Sequence, residues 1–233
     1  MNRVKIQIMI VIKNLSVKEL GEPLFEKVNL VIRPNERIAV VGSTAEIVDT
    51  FLRVLAGEIE MDEGSIKVVG GTLLYLSPET LNAEGYSEIF HKRPTFLLIN
   101  TSSQTLRADA TETLLRLIQN FRGGILISDQ DEALARATKT TKVLEINSST
   151  KTVTAYTGTY DSYILDKEKR DIQIREAYEK QQREKRRLET WLEQKRKEAA
   201  ISRSPEKGAT IRTKAKYLQR EILDKEIPNP NPE

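Results

Sequence analysis

Residues Val28–Ile66 read VNLVIRPNERIAVVGSTAEIVDTFLRVLAGEIEMDEGSI. At the centre, Arg37–Gly42 is an apolar run closed by glycine, the mark of a buried strand entering a tight turn. Beyond it, Ile47, Phe51, Leu52, Val54 and Leu55 recur at helical spacing. Strand, glycine turn and helix, in that order, predict an α/β core.

The flanking sequence extends that core in both directions. Upstream, Val4, Ile6, Ile8 and Ile10 alternate and Val11–Leu15 continues them; Gly21-Glu22-Pro23 predicts a turn, and Phe25, Val28, Leu30 and Ile32 a second strand. Downstream, Asp62–Ser65 predicts a turn before strands over Ile66–Val69 and Thr72–Leu76. Phe96–Ile99 and Ile125–Ser128 are short continuous apolar runs, as central parallel strands require. Asp109–Phe121 between them carries Leu114, Leu115, Leu117 and Ile118 as a helix; Leu134 and Ala137 suggest another. Lys142–Ile146 and Thr152–Tyr156 predict a closing hairpin, while residues 77–93 show no clear pattern. Alternating strands and helices predict a parallel α/β sheet, with the early strands as an antiparallel piece beside it.

The turn after Gly42 sits in the context of a phosphate-binding loop, G-x-x-x-x-G-K-[ST]. Counted from Gly42, Ile47 stands at the second glycine, Val48 at the lysine and Asp49 at the metal-binding hydroxyl. Such a loop cradles phosphate with backbone N–H groups and neutralises it with its lysine. Val48 supplies no charge, Asp49 supplies a negative one, and Ile47 puts a β-branched side chain where close approach wants none. Gly42, Ser43, Thr44, Ala45, Glu46, Ile47, Val48, Asp49 and Thr50 therefore read as a degenerate loop, with no catalytic residue, bound cofactor or metal expected.

Composition narrows the remaining classes. Cysteine is absent, so there is no disulfide framework and no thiol zinc site. His91 is the one histidine, which argues against a Ser-His triad or a His-based metal centre and reads as a surface residue. No apolar run approaches the length of a membrane span, and Val4–Val11 lacks a leader's cleavage site; a cytoplasmic protein is expected. The net charge of +3 hides an asymmetry: Lys180–Arg220 holds 14 Lys and Arg against 5 Asp and Glu. The rest of the chain is mildly acidic, and a basic block of this kind points to nucleic acid.

That block lies in a segment of different character. From Asp161 to Ala200 there is no Pro or Gly, and strong helix formers dominate. Ile174, Tyr178, Gln181, Lys185, Leu188 and Leu192 trace a heptad-like seam on a rod of about 60 Å. Ser202–Gly208, with Pro205, predicts a break; Ile211, Ala215, Leu218 and Ile222 predict a returning helix, so the whole is an antiparallel helical hairpin. Trp191 is expected in its seam. The expected divisions are a core over 1–160, a basic arm over 161–226 and a Pro-rich tail over 227–233.

Together these residues resemble the ABC-F family of ATP-binding cassette proteins. Pro23–Gly42 and Leu52–Ile66 are similar to the family's first cassette around its P-loop, and Phe96–Asn100 resembles the Walker B strand. Leu73–Ser77 resembles the strand before the Q-loop, and Gly123–Ala137 the switch-histidine strand and its helix. Tyr156–Arg170 (YTGTYDSYILDKEKR) looks like the start of the family's interdomain linker. The resemblance implies a P-loop NTPase-like core followed by an arm that in ABC-F proteins reaches P-site tRNA.

The departures are as systematic as the matches. Ala45, Ile47, Val48 and Asp49 stand where the family has Gly, Gly, Lys and Ser, and no aromatic lies near Glu19-Leu20 to stack on adenine. Pro78 falls at the Q-loop glutamine, Asn100 and Thr101 at the Walker B aspartate and glutamate, Arg107 at the D-loop aspartate, and Asp129 at the switch histidine. No signature motif is present, the interval from Glu79 to Pro94 is too short for the helical lobe, and the second cassette is missing. The expectation is a pseudo-ATPase that has lost the family's ATP and magnesium. It would bind the ribosome, through tRNA or rRNA, with Lys185, Arg186, Arg187, Lys195, Arg196, Lys197, Arg203, Lys207, Arg212, Lys214 and Lys216. The competing expectations are a partner of an intact cassette that does not bind RNA, and a truncated remnant without function.

Overall fold

A computed structural model describes residues 8–81, 83–101, 108–128, 132–202, 205–227 and 229. Val4 and Ile6 of the first alternating run, and Ser102, Arg107, Asp129 and Arg203, lie outside the described residues, as does most of the Pro-rich tail. The chain divides into two compact units, Met1–Tyr163 and Ile164–Glu233.

The first unit is built on two sheets. β1 (Met9–Glu19), β2 (Glu22–Ile32) and β4 (Glu63–Val69) form an antiparallel sheet in the order β2-β1-β4. β3 (Arg37–Gly42), β5 (Leu73–Leu76), β6 (Phe96–Ile99), β7 (Gly124–Ser128), β8 (Lys142–Asn147) and β9 (Thr152–Thr157) form the second, in the order β5-β6-β7-β3-β8-β9. Its first five strands are parallel and β9 closes it antiparallel to β8. The fold is therefore mixed α/β with a parallel sheet and an antiparallel annexe.

The helices cover both faces of that sheet. α1 (Ala45–Ala56) presents Ile47, Val48, Phe51, Leu52, Val54 and Leu55 to a core shared by Ile10, Phe25 and Ile32 of the antiparallel sheet and by Ile38, Val40, Phe96 and Leu98 of the parallel one. On the opposite face, α2 (Ala83–Lys92), α3 (Ala108–Asn120) and α4 (Glu132–Ala137) bury Tyr86, Ile89, Leu114, Ile118 and Leu134 against Leu97, Ile99, Ile125 and Ile127. β6 and β7 are buried along their whole length because alternate residues feed both cores.

Local chemistry fixes several junctions. The first hairpin turns at Leu20-Gly21, both with positive φ, one residue earlier than expected. Pro23 falls inside β2, where an edge strand tolerates it. β4 starts at Glu63 rather than Ile66: Gly64, at φ 100°, lies so close to the Lys13 and Asn14 carbonyls that a side chain there would collide with them. The guanidinium of Arg37 donates from Nη1 to Ile118 O at 2.8 Å and to Thr138 O at 3.3 Å, and from Nη2 to Phe121 O at 2.8 Å. It neutralises the carbonyl ends of α3 and α4. The unpatterned interval 77–93 holds a short 3-10 turn, Pro78–Thr80, and α2.

The second unit is an antiparallel helical hairpin. α5 (Tyr160–Ser202) has 43 residues, about 65 Å at 1.5 Å per residue, and its first turn belongs to the first unit. α6 (Pro205–Tyr217) starts inside the expected break, since a proline in the first turn sacrifices no helical hydrogen bond. A π-helical turn, Leu218–Leu223, follows it. Leu192, Leu218 and Ile222 are buried together, flanked by Leu188, Trp191, Ile211 and Ala215. Ile174 is 46% exposed, so the seam does not extend to it. Below the apolar seam a polar clamp takes over: Gln181 Nε2 donates to Lys225 O at 2.8 Å, Ile227 N donates to Gln181 Oε1 at 2.8 Å, and Lys185 pairs with Glu226 at 2.8 Å.

Candidate functional site

The first candidate is the cleft above Gly42. Between the end of β3 and the start of α1 only Ser43 and Thr44 intervene. Thr44 caps the helix, its hydroxyl accepting from Ile47 N at 3.4 Å. A phosphate loop places its helix after the second glycine; here Ala45, Glu46 and Ile47 are already helical. The degenerate loop read over Gly42–Thr50 is thus mostly the first turns of α1. The space under Gly42 is filled by the methyls of Ile47 and Val48, 2.6 and 2.7 Å from where a side chain on Gly42 would begin. Val48, at the position of the phosphate-loop lysine, is wholly buried.

A cavity of about 830 Å³ opens beside this plug. It is lined by Glu19, Glu46, Asp49, Glu58 and Glu79, with Arg53 as the one cation. Arg53 is itself engaged by Asp49 at 3.7 Å and Glu58 at 3.3 Å. Glu46 is held below the usual carboxylate range by its backbone hydrogen bond and by Thr44. Glu79 is lowered chiefly by a hydrogen bond from Ser77. Deeper in, Asn100 Nδ2 donates to Asp49 Oδ1 and, at 3.1 Å, to Tyr75 Oη; Tyr75 Oη donates to Asp49 Oδ1 at 3.3 Å. Thr101 is tied to Ser128, whose hydroxyl accepts from Thr101 N at 2.8 Å and lies 2.9 Å from Thr101 Oγ1. These strand-end polar groups cap one another.

Sequence reasoning found Asp49 and Asn100 but missed Glu19, Glu58, Glu79 and Tyr75. They come from β1–β5 and their flanking turns, and no periodicity joins them. His91 is exposed, 2.9 Å from Ser87 O through Nδ1.

The second candidate is the basic face of the hairpin. Of the expected contact residues, Lys185, Lys195 and Lys197 are engaged by Glu226, Glu198 and Glu193. Arg186, Arg187, Arg196, Arg212, Lys214 and Lys216 have no such partner among the described residues. Of the side chain of Lys207 nothing is described. Trp191 packs beside the seam, as expected, and also lines a groove of about 430 Å³ with Glu184, Arg187, Leu188, Thr213, Lys214 and Tyr217.

The segment joining core and hairpin is well seated on the core. Gly158, at φ 140°, and the N–H of Tyr160 bond to Thr141 O at 3.0 Å and to Thr140 Oγ1 at 2.7 Å. Tyr163 Oη donates to Glu145 at 2.9 Å, and Arg136 pairs with Asp161 at 2.7 Å. A family model described as an ABC transporter matches residues 146–226, from the end of β8 through this segment and the hairpin. An uncharacterized ABC transporter ATP-binding protein of Bacillus subtilis, YkpA, is 35% identical over 66 residues. In these comparisons the chain is similar to ATP-binding cassette proteins. The stretch matching YkpA is 28% of this chain and 12% of that protein. A chain from a solved inward-facing, metal-chelate type ABC transporter aligns at 13% identity with a TM-score of 0.48, over 64% of this chain and 83% of that one.

Of the residues that the sequence reading compared with the lysine, metal-hydroxyl and Walker B positions, Val48 lies in the core and Asp49 with Asn100 in a polar knot. Among the described residues no helix is long and apolar enough to cross a membrane.

Proposed function

We propose that this chain is a translation-associated protein of ABC-F type, with a cassette that does not hydrolyse ATP and a helical arm that holds tRNA or rRNA on the ribosome. It acts in the cytoplasm. The observation that carries the reading is the contrast in charge between the two candidate sites. The cleft beside the Gly42 turn is lined by five carboxylates and one already engaged arginine. The residues present do not fit a magnesium nucleotide: the helix begins too early to leave a ring of N–H groups, and the lysine position is buried hydrocarbon. Phosphoryl transfer depends on positioning and charge neutralisation, and this cleft offers neither. On the hairpin, in contrast, six of the expected contact residues have no ion-pair partner among the described residues, and such cations are the usual means of gripping a phosphate backbone.

Co-sedimentation with ribosomes at low and high salt tests the arm. Binding is expected at low salt and should fall with a log–log slope of roughly −3.5 to −4.5 if about five phosphates are engaged. Salt-independent or absent binding would instead favour a protein partner, such as an intact cassette. Calorimetry with Mg-ATP tests the cleft, with no binding expected below about millimolar.

A further inference from the structure

We infer that the groove at Trp191 is a binding site for an unpaired nucleobase and its phosphate, supplied by single-stranded RNA. The inference rests on the RNA reading above and gives it a specific contact. Glu184, Arg187, Leu188 and Trp191 fall at i, i+3, i+4 and i+7, so they share one face of α5. Thr213, Lys214 and Tyr217 face them from α6. Leu188 and one side of Trp191 belong to the seam, which fixes the indole; its remaining surface is the groove wall. Tyr217 is 42% exposed, and its hydroxyl donates to Glu184 Oε1 at 3.1 Å. That bond orients the Tyr217 ring and occupies the groove's one carboxylate.

Arg187 and Lys214, on the two helices, have no hydrogen bond or ion pair among the described residues. The groove thus offers aromatic surface for a base and two free cations for the phosphate beside it. A volume of about 430 Å³ suits one nucleotide. Ordinary seam packing explains Leu188 and the inner edge of Trp191, but not an indole and a phenol left open between unpaired cations. Base-on-aromatic stacking with flanking cations is how single strands are held without sequence readout.

Trp191 is the chain's one tryptophan, so its fluorescence reports on this groove alone. The full chain is titrated with a short single-stranded oligoribonucleotide, a duplex RNA of equal length and a mononucleotide. The oligoribonucleotide is expected to quench Trp191 and to bind more tightly than the mononucleotide. Trp191→Leu should weaken that binding about 5- to 50-fold, and Trp191→Phe should restore most of it. Arg187→Gln with Lys214→Gln should reduce the salt slope by about 1.4, at about 0.7 per contact on single strands. Circular dichroism of each variant must show the hairpin still helical; Trp191→Phe, which keeps the seam filled, decides the matter if Trp191→Leu does not. RNA binding without quenching, or unchanged by these substitutions, overturns the groove and leaves the RNA reading standing. Absence of binding to any RNA and to ribosomes overturns both. A mononucleotide that binds as tightly as the oligomer overturns RNA as the source of the ligand.

Discussion

The two units use the same residue types to opposite ends. In the first, apolar side chains form two continuous cores on either face of a sheet, and charge is tied down at the periphery: Arg37 on three carbonyls, Lys142 on Glu36 at 2.8 Å, Arg53 between two carboxylates. In the second, three buried residues form the seam and most of the charge stands in water. A cassette needs a cation and open backbone N–H groups inside a cleft. This core fills the space under Gly42 with Ile47 and Val48, and the one cation lining the cleft beside it is already paired. The difference teaches that a phosphate-loop likeness in sequence need not leave room for a phosphate: helix begins at Ala45, and hydrocarbon occupies the space under Gly42.

The sharpest way to break that comparison is to put the lysine back. Val48→Lys restores the phosphate-loop residue in sequence, yet position 48 is wholly buried. An ammonium there has no partner, and the substitution should lower core stability by at least about 3 kcal/mol without creating Mg-ATP binding. Urea denaturation and calorimetry check both halves. A stable variant that binds Mg-ATP would show that the plug is easily displaced and that the cleft is a dormant nucleotide site.

The hairpin should yield to a smaller change, and separately. Ile222→Ala removes one of the three buried seam residues and should destabilise the hairpin by about 2–4 kcal/mol. Hydrogen exchange is expected to show faster exchange in α6 and in α5 around Leu188–Leu192, with β3 and β7 unchanged. Equal loss of protection in the strands would mean that the two units unfold as one.

How much of this was legible in the sequence follows from how local each signal is. Strand β3, helix α1 and the seam from Leu188 to Ile222 were readable because their periodicity lies within a single segment. The start of α1 was not: S-T-A-E-I-V aligns with a phosphate loop residue by residue, and only the Thr44 cap and the packing of Ile47 against Gly42 show that the helix begins at Ala45. The acidic lining of the cleft was also hidden, since Glu19, Glu58 and Glu79 meet only through the sheet order. Ile174 was over-read, because heptad spacing identifies a face without saying whether anything covers it. Gln181 looked like a polar defect in the seam and is its clamp.

The polar knot makes a finer test of the cleft. Burial, opposed by the Asn100 hydrogen bond and reinforced by Asp49 and Glu58, pushes the Tyr75 hydroxyl up to about 12. A phenol in the unfolded chain titrates near 10. The folded state therefore favours neutral Tyr75, a contribution fully present below about pH 10 and lost as pH rises from there towards 12. Tyr75 is only partly buried, which keeps the effect small. Tyr86 and Tyr217 are raised as well, by burial and by the Glu184 hydrogen bond, so tyrosinate absorbance should show several late-ionising phenols, and Tyr75→Phe should lower that late amplitude by one tyrosine. If that variant leaves the late amplitude unchanged, the knot around Asp49 is not closed in solution.

The smallest expected effect separates the hairpin's cations from one another. Lys195 and Lys197 sit in the densest basic run, and sequence alone makes them the first choice for RNA contact. Each is already bonded, to Glu198 at 2.6 Å and Glu193 at 2.7 Å, and the pull of Lys197 holds Glu193 below the usual carboxylate range. A phosphate would have to displace a carboxylate to reach them. Arg186, Arg212 and Lys216 have no carboxylate to displace among the described residues. Neutralising those three to Gln should therefore flatten the salt dependence of RNA binding by about 0.7 to 0.9 per residue. Neutralising Lys195 and Lys197 should change it by less per residue, because a lysine that stays paired with its carboxylate engages no phosphate and adds no counterion release. Both sets lie on exposed helix surface and should leave the thermal midpoint of the core unchanged. Equal effects from the two sets would mean that the ion pairs open freely on binding, so that the whole basic run, rather than its unpaired members, forms the interface.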